Sequence, residues 1–299
     1  MDDVPLALQP FRGRLLAGVG KALRIYDIGK KKLLRKCENK VSESPHCLIA
    51  KAHVIAQSFA SVIVTLNTQG SRIIAGDAQD SLHYCVYKAP ENRLLIFADD
   101  TSSRWVTAAT MVDYETIAAG DKFGNVFINR LGSNVTPLVD EDPTGAGILH
   151  EKSVLMGAPH KTKLLAHFHV GDTITSIHKV RLVGGGRDVL LFTGIHGTIG
   201  ILMPFVSKED IDFLSTLEQH MRTEGPGGQG AGGQSLVGRD QMSYRGYYVP
   251  VKAVVDGDLC ERFAWLPAAR QAAIASDLDR TVGEVLKKLD GLRVIASGL

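Results

Sequence analysis

Four times along the chain a short apolar run ends in glycine, passes through a tight polar turn and resumes as a second apolar run. The first copy is Leu15-Leu16-Ala17-Gly18, followed by Leu23-Arg24-Ile25-Tyr26. The second is Ile73-Ile74-Ala75-Gly76-Asp77, then Leu82 to Val86; the third is Ile117-Ala118-Ala119-Gly120-Asp121, then Val126-Phe127-Ile128. The fourth is Leu190-Leu191-Phe192-Thr193-Gly194, then Ile199 to Leu202. Each copy reads as strand, turn and strand. The glycines fit either turn positions that require positive φ or positions with no room for a side chain. Further strand-like runs, at 32–35, 93–98, 105–111, 164–169 and 173–180, give each unit three or four strands. The first three units begin about 44–58 residues apart, a period that suggests β-propeller blades, with a single sandwich as the main competitor. A propeller ring closes with four to eight blades. About four irregularly spaced units therefore predict that part of the ring lies outside this sequence.

The character of the chain changes after Phe205. Ser207-Lys208-Glu209-Asp210 reads as a helix start, and Ile211, Leu214, Leu217 and Met221 recur at helical spacing. Residues 225–238 are Gly-rich and predict a flexible loop. A helix is predicted within 254–263 and another over the Ala-rich 267–278. Thr281-Val282-Gly283-Glu284 is a capping box that opens a last helix with the stripe Val282, Val285, Leu286, Leu289 and Leu292. The predicted fold is mainly β: a partial β-propeller of about four blades over 1–206, followed by a small α-helical C-terminal module over 207–299.

Composition narrows the function. Apolar residues make up 44% and charged residues 22% of 299, a soluble globular average with no run of about 18 apolar residues to cross a membrane. Four cysteines are scattered without a C-x-x-C pair, which suits a reducing compartment, nuclear or cytosolic. Gly18-Val19-Gly20-Lys21 fails as a phosphate-binding loop, because Leu15 stands where Gly is needed and Ala22 where Ser or Thr is needed. His167 and His169 share a strand face without the further ligands of a zinc site, and Gly184 to Gly186 precedes no helix. Asp99-Asp100 and Asp140-Glu141-Asp142 read as solvated turn residues rather than a carboxylate pair across a cleft. No G-x-S-x-G marks a nucleophile. The expectation is a non-enzyme with no cofactor, metal or small-molecule substrate.

Net charge is only +2, yet residues 1–40 hold ten Lys/Arg against four Asp/Glu. Lys30, Lys31, Lys32, Arg35 and Lys36 fall at one hairpin tip and its return strand. Such a patch suits phosphates or an acidic protein surface; it also suits a lysine-guarded sheet edge.

Several strings carry a resemblance. The stretch from Val19 to Lys40, with Phe97-Ala98-Asp99-Asp100, Arg104-Trp105-Val106-Thr107, Asp121-Lys122-Phe123-Gly124-Asn125, Asp140 to Gly145 and Asp256 to Glu261, resembles the C-terminal region of the splicing factor 3b subunit 3 family. The broader family includes damaged-DNA-binding protein 1 and the large subunit of the cleavage and polyadenylation specificity factor. The resemblance implies the last quarter of a three-propeller scaffold: final blades and a helical module. It also implies a nuclear, non-catalytic role in pre-mRNA splicing and branch-site recognition, with other splicing factor 3b subunits and the U2 snRNP as partners. Direct RNA binding through the basic hairpin and a ubiquitin-ligase adaptor role are the alternatives. Contacts are expected on loops such as Asp99 to Arg104, Asp121 to Asn125 and Asp140 to Gly145, with Lys30, Lys31, Lys32, Arg35, Lys36, Asp99, Asp100, Arg104 and Trp105 as candidates. Residues 41–64 depart from the family pattern and read as an atypical insert or mis-translated intron.

Overall fold

The computed structural model describes residues 3–39, 59–145, 158–182, 184, 186–223, 245 and 251–297. Most of the atypical 41–64 segment, and the Gly-rich 225–238 segment, lie outside the described residues.

Four sheets form in chain order, a four-blade propeller-like arrangement. The first takes β1 (Pro5–Phe11), β2 (Arg14–Val19), β3 (Ala22–Ile28) and β4 (Leu33–Glu38), in that order. The second takes β5 (Ile63–Gln69), β6 (Arg72–Asp77), β7 (Ser81–Lys88) and β8 (Arg93–Asp99). Its outer edge gains the two-residue β12 (His160–Lys161), parallel to β8. The third has the order β13-β11-β10-β9, from β9 (Val106–Met111), β10 (Thr116–Asp121), β11 (Asn125–Arg130) and β13 (Lys163–His169). The fourth has β14 (Ile174–Arg181), β15 (Asp188–Gly194) and β16 (Ile199–Leu202). A short helix, α1 (Val135–Glu141), lies between β11 and β12. The first strands β1 and β5 escaped the sequence reading, because Pro5 and Pro10 punctuate one and Thr and Asn interrupt the other.

Cα packing divides the chain into two compact units. One is Met1–Leu165 with Asp172–His178 and Thr193–Thr198; the other is Ala166–Gly171, Lys179–Phe192 and Ile199–Leu299. In the first unit the second sheet is enclosed on both faces. Ile73 belongs to an apolar cluster with Leu16, Leu23, Ile25 and Ile63, while its neighbour Ile74 belongs to a cluster with Val106, Ile117 and Phe127. Successive strand side chains point to opposite faces, so a strand buried on both sides must be apolar without alternation. That is why β6 reads Arg-Ile-Ile-Ala-Gly-Asp and is buried throughout.

Three of the four repeated glycines share one cause, while the fourth, Gly194, has the Asp172 carboxylate against it. None of Gly18, Gly76 and Gly120 has positive φ, so backbone freedom is not the reason for them. Each instead faces the first residue of the next sheet. A Cβ on Gly18 would lie 2.7 Å from Ile63 Cγ2, one on Gly76 2.9 Å from Val106 Cγ1, and one on Gly120 2.5 Å from Ile174 Cβ. Ile63, Val106 and Ile174 are fully buried. The glycine is a socket and the β-branched residue its plug, which sets the distance between adjacent blades.

In the second unit, α2 (Lys208–Thr223), α3 (Gly257–Glu261), a 3-10 turn (Arg262–Trp265), α4 (Ala268–Asp277) and α5 (Val282–Ser297) enclose a core. Phe213, Leu214, Leu217, Met221, Cys260, Phe263, Ile274, Val285 and Leu289 form it. Ile211, expected in the α2 stripe, faces solvent, and Phe213 takes its place. The capping box at Thr281 is made as expected: Thr281 N donates to Glu284 Oε2 at 2.8 Å and Glu284 N to Thr281 Oγ1 at 3.3 Å. Those hydrogen bonds hold the Glu284 carboxyl below its ordinary pKa.

Candidate interaction surface

The turns between the second and third strands of the second and third sheets share one construction. An aspartate accepts the amide hydrogens of the turn, so a tight reversal forms without orphaned donors. Asp77 Oδ1 accepts from Gln79 N at 2.6 Å and Asp80 N at 3.1 Å. Asp121 Oδ1 accepts from Phe123 N at 2.8 Å and Asn125 N at 2.9 Å. In the fourth sheet Ile195 stands where the repeat has aspartate, and Asp172 takes over the role. It accepts from His196 N at 3.1 Å and meets His196 Nδ1 at 2.7 Å. Burial raises the Asp172 carboxyl pKa, but the hydrogen bonds from Thr198 and His196 outweigh it and hold the group below its ordinary value.

Two of these turns and the β8–β9 connection make a linked rim in the first unit. Lys122 N donates to Trp105 O at 3.0 Å, and Lys122 Nζ lies 4.1 Å from the Trp105 ring centroid. Thr173 Oγ1 donates to Lys122 O at 2.8 Å, and Ile195 N donates to Thr173 O at 3.0 Å. The backbone is therefore tied, while Trp105, Phe123 and Ile195 remain 44%, 63% and 66% exposed. Scattered exposed apolar residues are ordinary, but three large ones on one hydrogen-bonded rim are not.

The rim's carboxylates are turned inward. Asp99 accepts from Lys161 Nζ at 2.5 Å and Ala158 N at 3.1 Å. Asp100 accepts from Ser81 Oγ at 2.6 Å and pairs with Arg104, whose guanidinium stacks 4.3 Å from the Phe127 ring centroid. Both aspartates, expected as solvated turn residues, are buried. Asp99 ties β8 to β12 and Asp100 ties the β8–β9 connection to β7; the two donors to Asp99 and the three to Asp100, Ser102 N among them, offset the burial of the two carboxylates. Lys122, by contrast, is exposed and has no carboxylate partner among the described residues. The surface offers apolar anchors, an aromatic ring, one unpaired cation and a histidine. Such a set has the chemistry of a protein-docking surface: apolar anchors that another protein can cover and a cation suited to a carboxylate.

The candidates thus separate. Asp99, Asp100 and Arg104 support the rim from within, and Trp105 stands on it. Lys30, Lys31 and Lys32 lie in the turn at the far end of β3, whose seven residues set its two turns about 20 Å apart, and Arg35 and Lys36 lie within β4. Lys122 and Phe123 fall within the Asp121–Asn125 loop expected to carry contacts, though neither is singled out, whereas Ile195 and His196 lie outside the expected loops. The signal for Phe123 was available: a large apolar residue inside an Asp-x-x-Gly turn has no local reason to be there. Among the described residues no group of three or more His, Cys, Asp or Glu side chains is arranged to hold a metal ion.

Comparison with known proteins bears on this surface. The family model for the CPSF A subunit region matches residues 1–264. The chain is 56% identical over 298 residues to "Pre-mRNA-splicing factor RSE1" of Mycosarcoma maydis, covering 100% of this chain and 22% of that protein. It is 47% identical over 293 residues to "Splicing factor 3B subunit 3" of Danio rerio, and equally to "Spliceosome-associated protein 130 A" of Arabidopsis thaliana. Each match covers 98% of this chain and 22% of the relative. The chain spans about a fifth of the length of these curated relatives.

Proposed function

The chain belongs to the CPSF A subunit family, and from that membership we propose that it is a non-catalytic scaffold of the splicing factor 3b complex in the nucleus. It acts in pre-mRNA splicing and branch-site recognition, through protein–protein contacts with other splicing factor 3b subunits and the U2 snRNP. The observation that carries the reading is the rim of Trp105, Lys122, Phe123 and Ile195, a rigid apolar surface tied by backbone hydrogen bonds. Rigid presentation lowers the entropy lost on docking, which is what a scaffold contributes. The relatives' names, each that of a splicing or spliceosome protein, support the setting. Blades over 1–206 and helices over 207–299 are the two working parts of this proposal.

The test is affinity purification of the tagged full chain from nuclear extract, followed by protein identification. Recovery of splicing factor 3b subunits with wild type, and their loss with Trp105→Ala/Phe123→Ala, is the expected result. Recovery of a cullin instead would make the chain a ubiquitin-ligase adaptor and end the splicing reading.

A further inference from the structure

The β3–β4 hairpin combines two properties that a solvated sheet edge does not need together. Its turn holds Lys30, Lys31 and Lys32, all exposed, and closes with Gly29 N donating to Lys32 O at 3.1 Å. Directly behind the turn, Ile28 and Leu33 face each other across the ladder, 72% and 42% exposed. Leu34, on the opposite face, is also exposed. An edge protected by lysines gains nothing from three large aliphatic side chains in water.

The hairpin's acids are already engaged. Asp27 pairs with Arg14 at 2.6 Å and with Lys36 at 4.0 Å, and Glu38 pairs with Arg24 at 2.9 Å and Arg35 at 3.0 Å. Lys30, Lys31 and Lys32 have no ion pair among the described residues. The tip therefore presents three uncompensated cations around an aliphatic pair. The chemistry selects among partners. Single-stranded nucleic acid is bound by aromatic stacking platforms beside cations, and this tip has none, since Tyr26 is buried. Aliphatic anchors ringed by like charges instead match a protein segment in which leucine- or isoleucine-type residues alternate with Asp and Glu.

We propose that the β3–β4 tip, Ile28 to Leu34, is a second docking site, for an acidic, aliphatic-bearing segment of a partner protein. It rests on the scaffold reading above and adds the chemistry of one partner. Ile28 and Leu33 bury the aliphatic side chains, and Lys30 to Lys32 meet the carboxylates. The charges raise the rate of encounter and fix the register, so binding weakens with salt.

The test places the photo-reactive residue p-benzoyl-L-phenylalanine at Leu33 of the tagged full chain, and separately at Phe123 on the rim. Complexes are irradiated, purified and the crosslinked segments sequenced by mass spectrometry. Crosslinks from position 33 are expected to fall in a protein segment rich in Asp and Glu with interspersed Leu, Ile or Val. Their yield should drop by about tenfold or more in the Lys30→Glu/Lys31→Glu/Lys32→Glu background, while the crosslinks from position 123 persist. The tip lysines are exposed turn residues, so this background keeps the fold. Crosslinks from position 33 to RNA, to a basic or neutral segment, or to nothing while position 123 still crosslinks, would overturn the proposal and leave the scaffold reading standing. Failure of position 123 alone would count against the rim and not the tip.

Discussion

Gly120→Ala tests the socket-and-plug account of blade spacing. The new methyl would sit 2.5 Å from Ile174 Cβ and 2.9 Å from Ile174 Cγ1, where carbon atoms in contact prefer about 3.5–4.0 Å. Ile174 has little freedom to retreat. It is fully buried, branched at Cβ, and its carbonyl accepts the Thr107 hydroxyl at 2.5 Å. Overpacking of this kind costs about 1–3 kcal/mol, and replacing glycine by alanine in a strand returns about 0.5–1 kcal/mol. The difference spans about 0–2.5 kcal/mol, and because Ile174 cannot retreat the expected loss lies in the upper part, about 1–2 kcal/mol, a factor of about 5–30 in the folding equilibrium. Urea titration followed by circular dichroism measures it as a lower midpoint at unchanged slope. Ile174→Ala alone should cost about 2–5 kcal/mol by leaving a cavity. In that background the clashes with Cγ1 and Cγ2 are gone and only the one with the remaining Cβ persists, so the two changes together should cost less than their sum by about 1 kcal/mol. Gly291→Ala is the contrast: it lies in α5 with nothing within 4 Å of the added Cβ, and should gain up to about 1 kcal/mol. A Gly120→Ala protein as stable as wild type, or a double variant whose losses simply add, would refute the account.

Three further outcomes follow from the same coordinates. Phe123→Ala and Ile195→Ser should change stability by no more than about 0.5 kcal/mol, since both side chains are exposed, while weakening partner binding by about tenfold or more; isothermal titration with the purified partner subunit and urea titration separate the two effects. Burial lowers the His83 pKa from its ordinary 6.5, against the pull of Asp77 and Asp99 toward the charged form. The unfolded chain then takes up a proton near pH 6.5 while the native chain does not, so His83 makes stability fall as pH drops below about 6.5, by at most about 1.4 kcal/mol per unit. His83→Gln should flatten that slope in urea midpoints measured from pH 7.5 down to about 5.5. Arg72 is fully buried between the rings of Phe97 and Tyr114, 4.7 and 4.4 Å from their centroids, with Asp140 at 3.6 Å. Among the described residues its guanidinium nitrogens have no hydrogen-bond partner. Arg72→Met should therefore stay within about 1 kcal/mol of wild type, whereas Arg72→Ala should lose about 2–5 kcal/mol to the cavity; a Met variant as unstable as the Ala variant would show that the charge, not the volume, holds the site.

The chain's own order of residues determined that it makes hairpins, that the hairpins repeat, and that helices follow them. Those features depend on neighbours in sequence: Leu-Leu-Ala-Gly before a turn, or Thr281 three residues from Glu284, acts over distances that any sequence displays. The tertiary structure decided what the repeats are for. Gly120 reads as a turn glycine until Ile174, 54 positions later, is seen to occupy its missing side chain. Asp99 and Asp100 read as solvated loop acids until Lys161 and Arg104 arrive. The candidate surface divides in the same way. The basic tip was legible because its lysines are consecutive. The rim was legible only in part: Trp105 and the loop that holds Lys122 stand out, but Trp105, Lys122 and Ile195 come from three separate connections, and only the stacking of one sheet on the next, through contacts between residues far apart in the chain, makes them neighbours.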